Sequence, residues 1–187
     1  MVINTREVDG RTIYIIDEAI SKEGIDDFYK FINSLSYTKK EQSDEDDQYP
    51  IFSVNFHANK FEEQTEVGSL GKELLEKLRS KEYSLYRAYI NMCHYGDVEY
   101  PHLDCESDED DITVLYYANK DWHYTWGGET QFYESHEAVM GVTPRPGRYV
   151  VFDGNIEHMG TIPTRICNTS RYTLAMKYSR VKKADDE

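Results

Sequence analysis

The chain has 187 residues, of which 39% are hydrophobic and 13% aromatic, enough for one domain with a substantial core and too few to expect two. Its 35 acidic residues against 21 basic ones leave a net charge of −14, which argues against an electrostatic grip on nucleic acid or an anionic membrane. No apolar run approaches a membrane span, and the opening residues do not form a secretory signal.

In chain order, residues 11–17 read as a first strand. Ser21 then opens a helix, with Glu23 and Asp26 suiting its positive end and Ile25, Phe28, Phe31, Ile32 and Leu35 spaced to form one buried face. Residues 38–50 are an acidic, turn-prone run. Residues 51–56 return to a strand, and residues 62–81 form a second helix with Val67, Leu70, Leu74, Leu75 and Leu78 on one side. From Tyr83 the pattern changes to short strands bounded by turns: 85–93, 112–118, 129–133, 148–152 and 171–178. In the first of these, Tyr86, Ala88, Ile90 and Met92 make an apolar face; Arg87, Tyr89, Asn91, Cys93 and, beyond the strand, Tyr95 make a polar one. In the last, Tyr172, Leu174, Met176 and Tyr178 are the greasy face and Arg171, Thr173, Ala175 and Lys177 the opposite one. Helices followed by strands predict a mainly β fold with supporting helices (α+β). Its core is a double-stranded β-helix, or jelly roll, with the N-terminal helices packed on one sheet. Residues 1–187 then form a single domain, with 1–82 as support and 83–180 as the core. The cysteines, Cys93, Cys105 and Cys167, are odd in number and lack paired spacing. They suit free thiols in a cytoplasmic setting.

His102 and Asp104 carry the chemistry. Two residues apart on an extended segment, they point the same way, and with a second histidine they make the two-histidine, one-carboxylate face of a non-haem Fe(II) site. His158 follows a strand end and turn, and an inward cation, Arg171, comes soon after it. His57, His94, His123 and His136 lack that combination. A buried arginine calls for a carboxylate, so the implied ligand is a diacid held by iron at one end and Arg171 at the other.

These motifs resemble the Fe(II)- and 2-oxoglutarate-dependent dioxygenases, specifically their prolyl 4-hydroxylase-like branch. His102-Leu-Asp104, the segment 113–122, Trp126-Gly-Gly-Glu-Thr-Gln-Phe132, Arg148 with Phe152, His158 and Arg171-Tyr-Thr-Leu-Ala175 fall in family order. The resemblance covers roughly residues 83–180. It implies His102, Asp104 and His158 as iron ligands and Arg171 as partner of the distal 2-oxoglutarate carboxylate. It implies Tyr117 as a second contact to that carboxylate and Tyr95 as a further tyrosine reaching the cosubstrate. Trp126 and the Gly127-Gly128 turn read as structural. Fe(II), 2-oxoglutarate and O2 are the implied cofactors, with ascorbate in support.

The function so implied is hydroxylation of a prolyl residue in a peptide or protein, with 2-oxoglutarate converted to succinate. The alternatives are hydroxylation of a free amino acid or other small molecule, and a catalytically silent jelly-roll binding module. Lys177 stands where oxygen-sensing relatives carry tryptophan, and it reads equally as a pocket residue or a solvated strand end. Two acidic stretches, 41–47 and 106–111, read either as solvated loops or as a lid for a proline-containing segment with basic flanks.

Overall fold

The computed structural model describes residues 1–42 and 47–181. Eleven strands and three helices are present among them. The strands are β1 (Val2–Val8), β2 (Arg11–Asp17), β3 (Thr38–Glu41), β4 (Ile51–Phe56), β5 (Tyr83–Cys93), β6 (Ile112–Tyr117), β7 (Thr130–Glu134), β8 (Glu137–Val142), β9 (Tyr149–Asp153), β10 (His158–Gly160) and β11 (Arg171–Arg180). The helices are α1 (Lys22–Asn33), α2 (Ala58–Gln64) and α3 (Glu66–Leu78).

The strands form two antiparallel sheets. The larger has the order β1-β2-β9-β6-β11-β5-β4-β3 and the smaller β10-β7-β8. His102 extends the smaller sheet by one position, exchanging backbone hydrogen bonds with His158 at 2.9 and 3.0 Å. Four central strands, β9-β6-β11-β5, thus face the 102 segment with β10, β7 and β8. This is the jelly roll that the pattern of strands and turns predicts.

The two faces of the larger sheet differ in kind. Its outer face buries Ala88, Ile90, Val114, Tyr116, Tyr172, Leu174, Met176 and Tyr178 against Ile25, Phe28, Ile32, Val67, Leu74 and Leu75 of the helices. Helix α3 lies so close that a Cβ at Gly71 would stand 2.7 Å from Met176 Cε. At one end of the barrel the inner face closes over Val8, Ile13, Phe132, Val150, Phe152 and Ile156.

Local chemistry explains where the elements break. Ser21 Oγ accepts from Gly24 N at 3.0 Å and caps α1, as its place before an amphipathic run predicts. The helix expected over 62–81 is instead two helices. Thr65 is extended (φ −119°, ψ 139°), ends α2 and caps α3 through Gly68 N at 2.9 Å, so the helical spacing crosses a cap that also reads as an N-terminus. Strands β1, β3, β8 and β10 were not anticipated. Asp9-Gly10, both at positive φ, forms the two-residue hairpin turn that pairs β1 with β2. Ser135-His136 does the same between β7 and β8. Tyr86 is 49% exposed, contrary to its expected place on the greasy face. A register shift beside Tyr178 pairs that residue with Leu85, leaving Tyr86 outside the pairing.

Candidate active site

The jelly roll brings His102, Asp104 and His158 together. His158 Nε2 lies 3.4 Å from Asp104 Oδ2, and His102 Nε2 lies 3.6 Å from Asp104 Oδ1. All three candidate ligand atoms fall within 4.8 Å of one another, a group able to hold a metal ion. The arrangement rests on backbone pairing. The bridge between His102 and His158 sets the two rings 4.7 Å apart, and Asp104 N donates to Gly154 O at 2.7 Å. A Cβ on Gly154 would press to 3.0 Å from Cys105 Sγ and 3.3 Å from Asp111 O, so a side chain there would crowd this approach. Each imidazole places Nδ1 2.9 Å from a backbone carbonyl, Tyr100 O for His102 and Ile156 O for His158. With Nδ1–H donating there, the Nε2 lone pairs are left facing the centre, the tautomer a metal requires.

Electrostatics suits the same use. Burial against Phe132 and Phe152 disfavours the charged form of His158 and brings its pKa down to about 4, so the ring is neutral at physiological pH. Burial also works against ionisation of Asp104, but the Lys177 ammonium and then the imidazoles outweigh it and hold the carboxyl well below the usual range. For His102, burial lowers the pKa, and the hydrogen bond and charge of Asp104 reverse this to a net rise. Two neutral-capable nitrogens and one carboxylate oxygen form the donor set that suits Fe(II).

Arg171 enters the same cavity from the start of β11. It is 2% exposed, donates from Nε to Gly128 O at 2.7 Å and from Nη1 to Thr173 Oγ1 at 3.2 Å, and lies 3.5 Å from Thr130 Oγ1. A Cβ at Gly128 would stand 2.9 Å from Arg171 Cδ, so the guanidinium depends on that glycine turn. Among the described residues no carboxylate lies within ion-pair distance of it. Two adjoining cavities of about 50 Å³ each share Tyr89, Asn91, Glu99 and His102. One is walled by Thr113, Leu115, Thr130, His158, Gly160, Arg171, Thr173, Ala175 and Lys177, and the other opens past Glu41, Gln42, Asp47, Ile51 and Val98.

The remaining expected residues fall in different places. Tyr117 is buried on the inner face, and its hydroxyl donates to Val142 O at 2.8 Å and meets Thr130 Oγ1 at 2.7 Å. It therefore stands behind Thr130 and does not itself wall the cavity. Tyr95 is not brought in. Strand β5 ends at Cys93, and the His94–Asp97 turn, closed by His94 N on Asp97 Oδ2 at 2.7 Å, carries Tyr95 outward to 63% exposure. Strand alternation fails there because the strand has ended; Tyr89, four residues inside it, takes the inward place. Lys177 is a pocket residue, 6% exposed and in contact with Asp104. Of the rival histidines, His123 caps a short 3₁₀ turn (Tyr124–Trp126), His136 sits exposed in the β7–β8 turn, His57 precedes α2 without a side-chain capping bond and His94 binds Ser170 Oγ. In the second acidic stretch, Asp110 is tied to Lys81 at 2.8 Å and Arg180 at 3.0 Å. Most of the first, residues 43–46, lies outside the described residues.

Thr113, Thr130, Asn91 and Glu99 were not singled out from sequence. Parity on β5 and β6 places Asn91 and Thr113 inward, which was a usable signal. Glu99 lies on a loop with no periodicity and offered none. A larger groove of about 490 Å³ lies among Phe28, Phe31, Phe56 and Phe61 on the helix side of the sheet, and none of His102, Asp104, His158 and Arg171 lines it.

A jelly roll with a His-Asp-His face and a buried arginine defines a class, the iron- and 2-oxoglutarate-dependent oxygenases. Residues 90–178, which hold most of the barrel strands and the triad, match the family model of the 2OG-Fe(II) oxygenase superfamily. Fe(II), 2-oxoglutarate and O2 are the cofactors of that superfamily, and the donor set fits them. A search of curated sequences finds no significant match. Among solved structures, the chain is similar to a prolyl-4-hydroxylase from Pseudomonas putida (14% identity, 90% of this chain and 92% of that one, TM-score 0.64). It is also similar to a Trichoplax adhaerens prolyl hydroxylase in complex with a hypoxia inducible factor peptide fragment (16%, 89% and 83%, 0.68). The non-heme alpha-ketoglutarate-dependent epimerase SnoN from nogalamycin biosynthesis matches to a similar degree (9%, 89% and 78%, 0.64). At these identities the likeness is one of fold.

Proposed function

We propose that the chain acts as one domain that hydroxylates a prolyl residue in a peptide or protein, using Fe(II) and 2-oxoglutarate. The observation that carries the cosubstrate assignment is Arg171, a buried guanidinium with no carboxylate partner among the described residues. A buried cation with no carboxylate in direct contact is costly, and a cosubstrate carboxylate would supply that contact. In this reading His102, Asp104 and His158 hold the iron, and Arg171, backed by Thr130 and through it Tyr117, takes the distal carboxylate. The bound iron, with 2-oxoglutarate and O2, supplies the oxidising power that turns a C–H bond into C–OH while 2-oxoglutarate becomes succinate and CO2; ascorbate supports the reduced metal. The chain's own part is to orient both ligands and to exclude water. Phe132, Phe152 and Leu115 line or back the cavity with apolar surface, which strengthens every charge contact inside it. Three free thiols, among them buried Cys93, fit a reducing cytoplasm.

Support for a peptide substrate is the fold shared with the two prolyl hydroxylases, one of which is described with a bound peptide. Basic flanks on that peptide fit a mouth lined by Glu99, beside Glu41, which Arg87 already holds at 2.8 Å. Described residues do not tie Glu99 to any cation; its Oε1 accepts only from Cys93 Sγ, at 3.0 Å. The equal likeness to SnoN favours a second reading, oxidation of a small molecule in the same cavity. Mass spectrometry decides between them. The enzyme, Fe(II) and 2-oxoglutarate should add one oxygen to proline in basic-flanked peptides, with Glu99→Gln weakening peptide use severalfold at low salt and less at high salt. A free amino acid or other small molecule that outperforms every proline peptide would replace the first reading with the second.

A further inference from the structure

Lys177 makes an unusual pair of contacts. Its side chain is 7% exposed, and Nζ meets Asp104 Oδ2 and lies 3.1 Å from Thr113 Oγ1. Thr113 Oγ1 itself donates to the same Oδ2 at 2.5 Å. Two donors therefore fall on Oδ2, which also lies 3.4 Å from His158 Nε2, whereas Oδ1 takes neither donor and faces the Nε2 of His102 at 3.6 Å. The donors come from adjacent strands at one register position, because Lys177 on β11 pairs directly with Thr113 on β6. Nothing in the packing of the sheet requires a cation there. The neighbouring inward residues on β11 are Ala175 and Thr173, and those on the strands either side are Leu115 and Tyr89.

We infer that Lys177 is a positioning residue for the metal centre: with Thr113 it occupies Asp104 Oδ2 and leaves Oδ1 as the one oxygen presented to the ion. This rests on the reading of His102, Asp104 and His158 as a metal site. A carboxylate free to rotate or to bind through both oxygens would fill a coordination position that 2-oxoglutarate or O2 needs, and a fixed one-oxygen ligand keeps it open. The ammonium also acts against the ion by charge repulsion. The two effects predict opposite consequences of removing it, so the sign of the change separates a positioning role from mere electrostatic proximity.

The test uses Co(II) as the probe, titrated at fixed pH and salt into the metal-free protein and read by chelator competition and by the visible spectrum. Positioning predicts that Lys177→Met weakens Co(II) binding by about ten- to a hundredfold, the range seen when groups that hold metal ligands are lost. The visible bands should also shift as Asp104 changes its mode of binding. Lys177→Arg, which restores a donor and the charge, should recover most of both. Thr113→Val removes the other donor on Oδ2 and should shift both readouts in the same direction by less; it decides the matter even where Lys177→Met does not fold. Tighter Co(II) binding in Lys177→Met, or parent-like spectra in both Lys177→Met and Thr113→Val, overturns the inference and leaves the metal site standing. Failure of the parent to bind Co(II) overturns the metal site and the inference together.

Discussion

The two faces of β11 are equally buried and chemically opposite. Tyr172, Leu174, Met176 and Tyr178 look outward and are between 0 and 6% exposed; Arg171, Thr173, Ala175 and Lys177 look inward and are between 2 and 6% exposed. Outward, each large apolar side chain removed from water stabilises the fold by about 1.5–3 kcal/mol, and the helices exist to complete that burial. Inward, the same strand buries two cations, of which only Lys177 meets a carboxylate. Burial of that kind works against stability. Two faces of one strand thus separate what holds the protein together from what it is folded to do.

The largest break in this comparison comes at the triad. Asp104→Ala and His158→Ala should each cut Fe(II)-dependent succinate formation by more than the roughly hundredfold typical of losing a group that merely supports a ligand. Circular dichroism should show the parent's fold in both. Substantial turnover in either variant would remove that residue from the metal centre.

Exchanging one residue on each face of β11 sharpens the contrast. Arg171→Gln should raise the apparent KM for 2-oxoglutarate by about a hundredfold, near 3 kcal/mol for a buried charged hydrogen-bonding partner. Leu174→Ala, three residues on, should lower stability by about 3 kcal/mol in denaturant titration and leave that KM close to the parent's. A Leu174 variant that lost cosubstrate affinity as severely as the Arg171 variant would mean the two faces are not functionally distinct.

A third test concerns a charged pair that is structural. Asp17 is 7% exposed and accepts from Arg148 Nε and Nη2, both at 2.8 Å, with Arg145 Nη1 at 3.2 Å. The Arg148 hydrogen bonds, working against burial, lower the Asp17 pKa below its usual value. A depressed carboxylate pKa contributes stability that is complete above the ordinary carboxylate range and is lost as pH falls through the folded-state value. Asp17→Asn should cost about 2 kcal/mol at neutral pH, and the deficit should shrink as parent and variant are unfolded at progressively lower pH. A deficit that held constant down to strongly acidic pH would show that the ion pair is not its source.

The smallest effect belongs to Tyr117→Phe, which removes one neutral hydrogen bond behind Thr130 and should cost about 1 kcal/mol in stability or cosubstrate binding. A loss as large as that of Arg171→Gln would place the Tyr117 hydroxyl on the ligand itself.

How much of this was legible in sequence follows from the same physics. Strand parity correctly divided β11 and β6 into two faces, and the His102–Asp104 spacing, with His158 and Arg171 downstream, gave the residues that the jelly roll brings together. Parity failed where a strand ended, at Tyr95, and where its register slipped, at Tyr86. Helical spacing ran through Thr65 because a cap interrupts the backbone without interrupting the apolar pattern. Glu99 lies on an irregular loop and the Lys177–Thr113 pairing depends on register, and neither leaves a local trace in the chain.

The central claim is that Arg171 waits for the carboxylate of 2-oxoglutarate beside a metal held by His102, Asp104 and His158. Calorimetric titration of 2-oxoglutarate into the Mn(II)-loaded protein without O2 tests it most directly. The account predicts metal-dependent binding in the parent and in Leu174→Ala, weakened by about a hundredfold in Arg171→Gln. Equal affinity in the parent and Arg171→Gln, or binding indifferent to the metal, would contradict it.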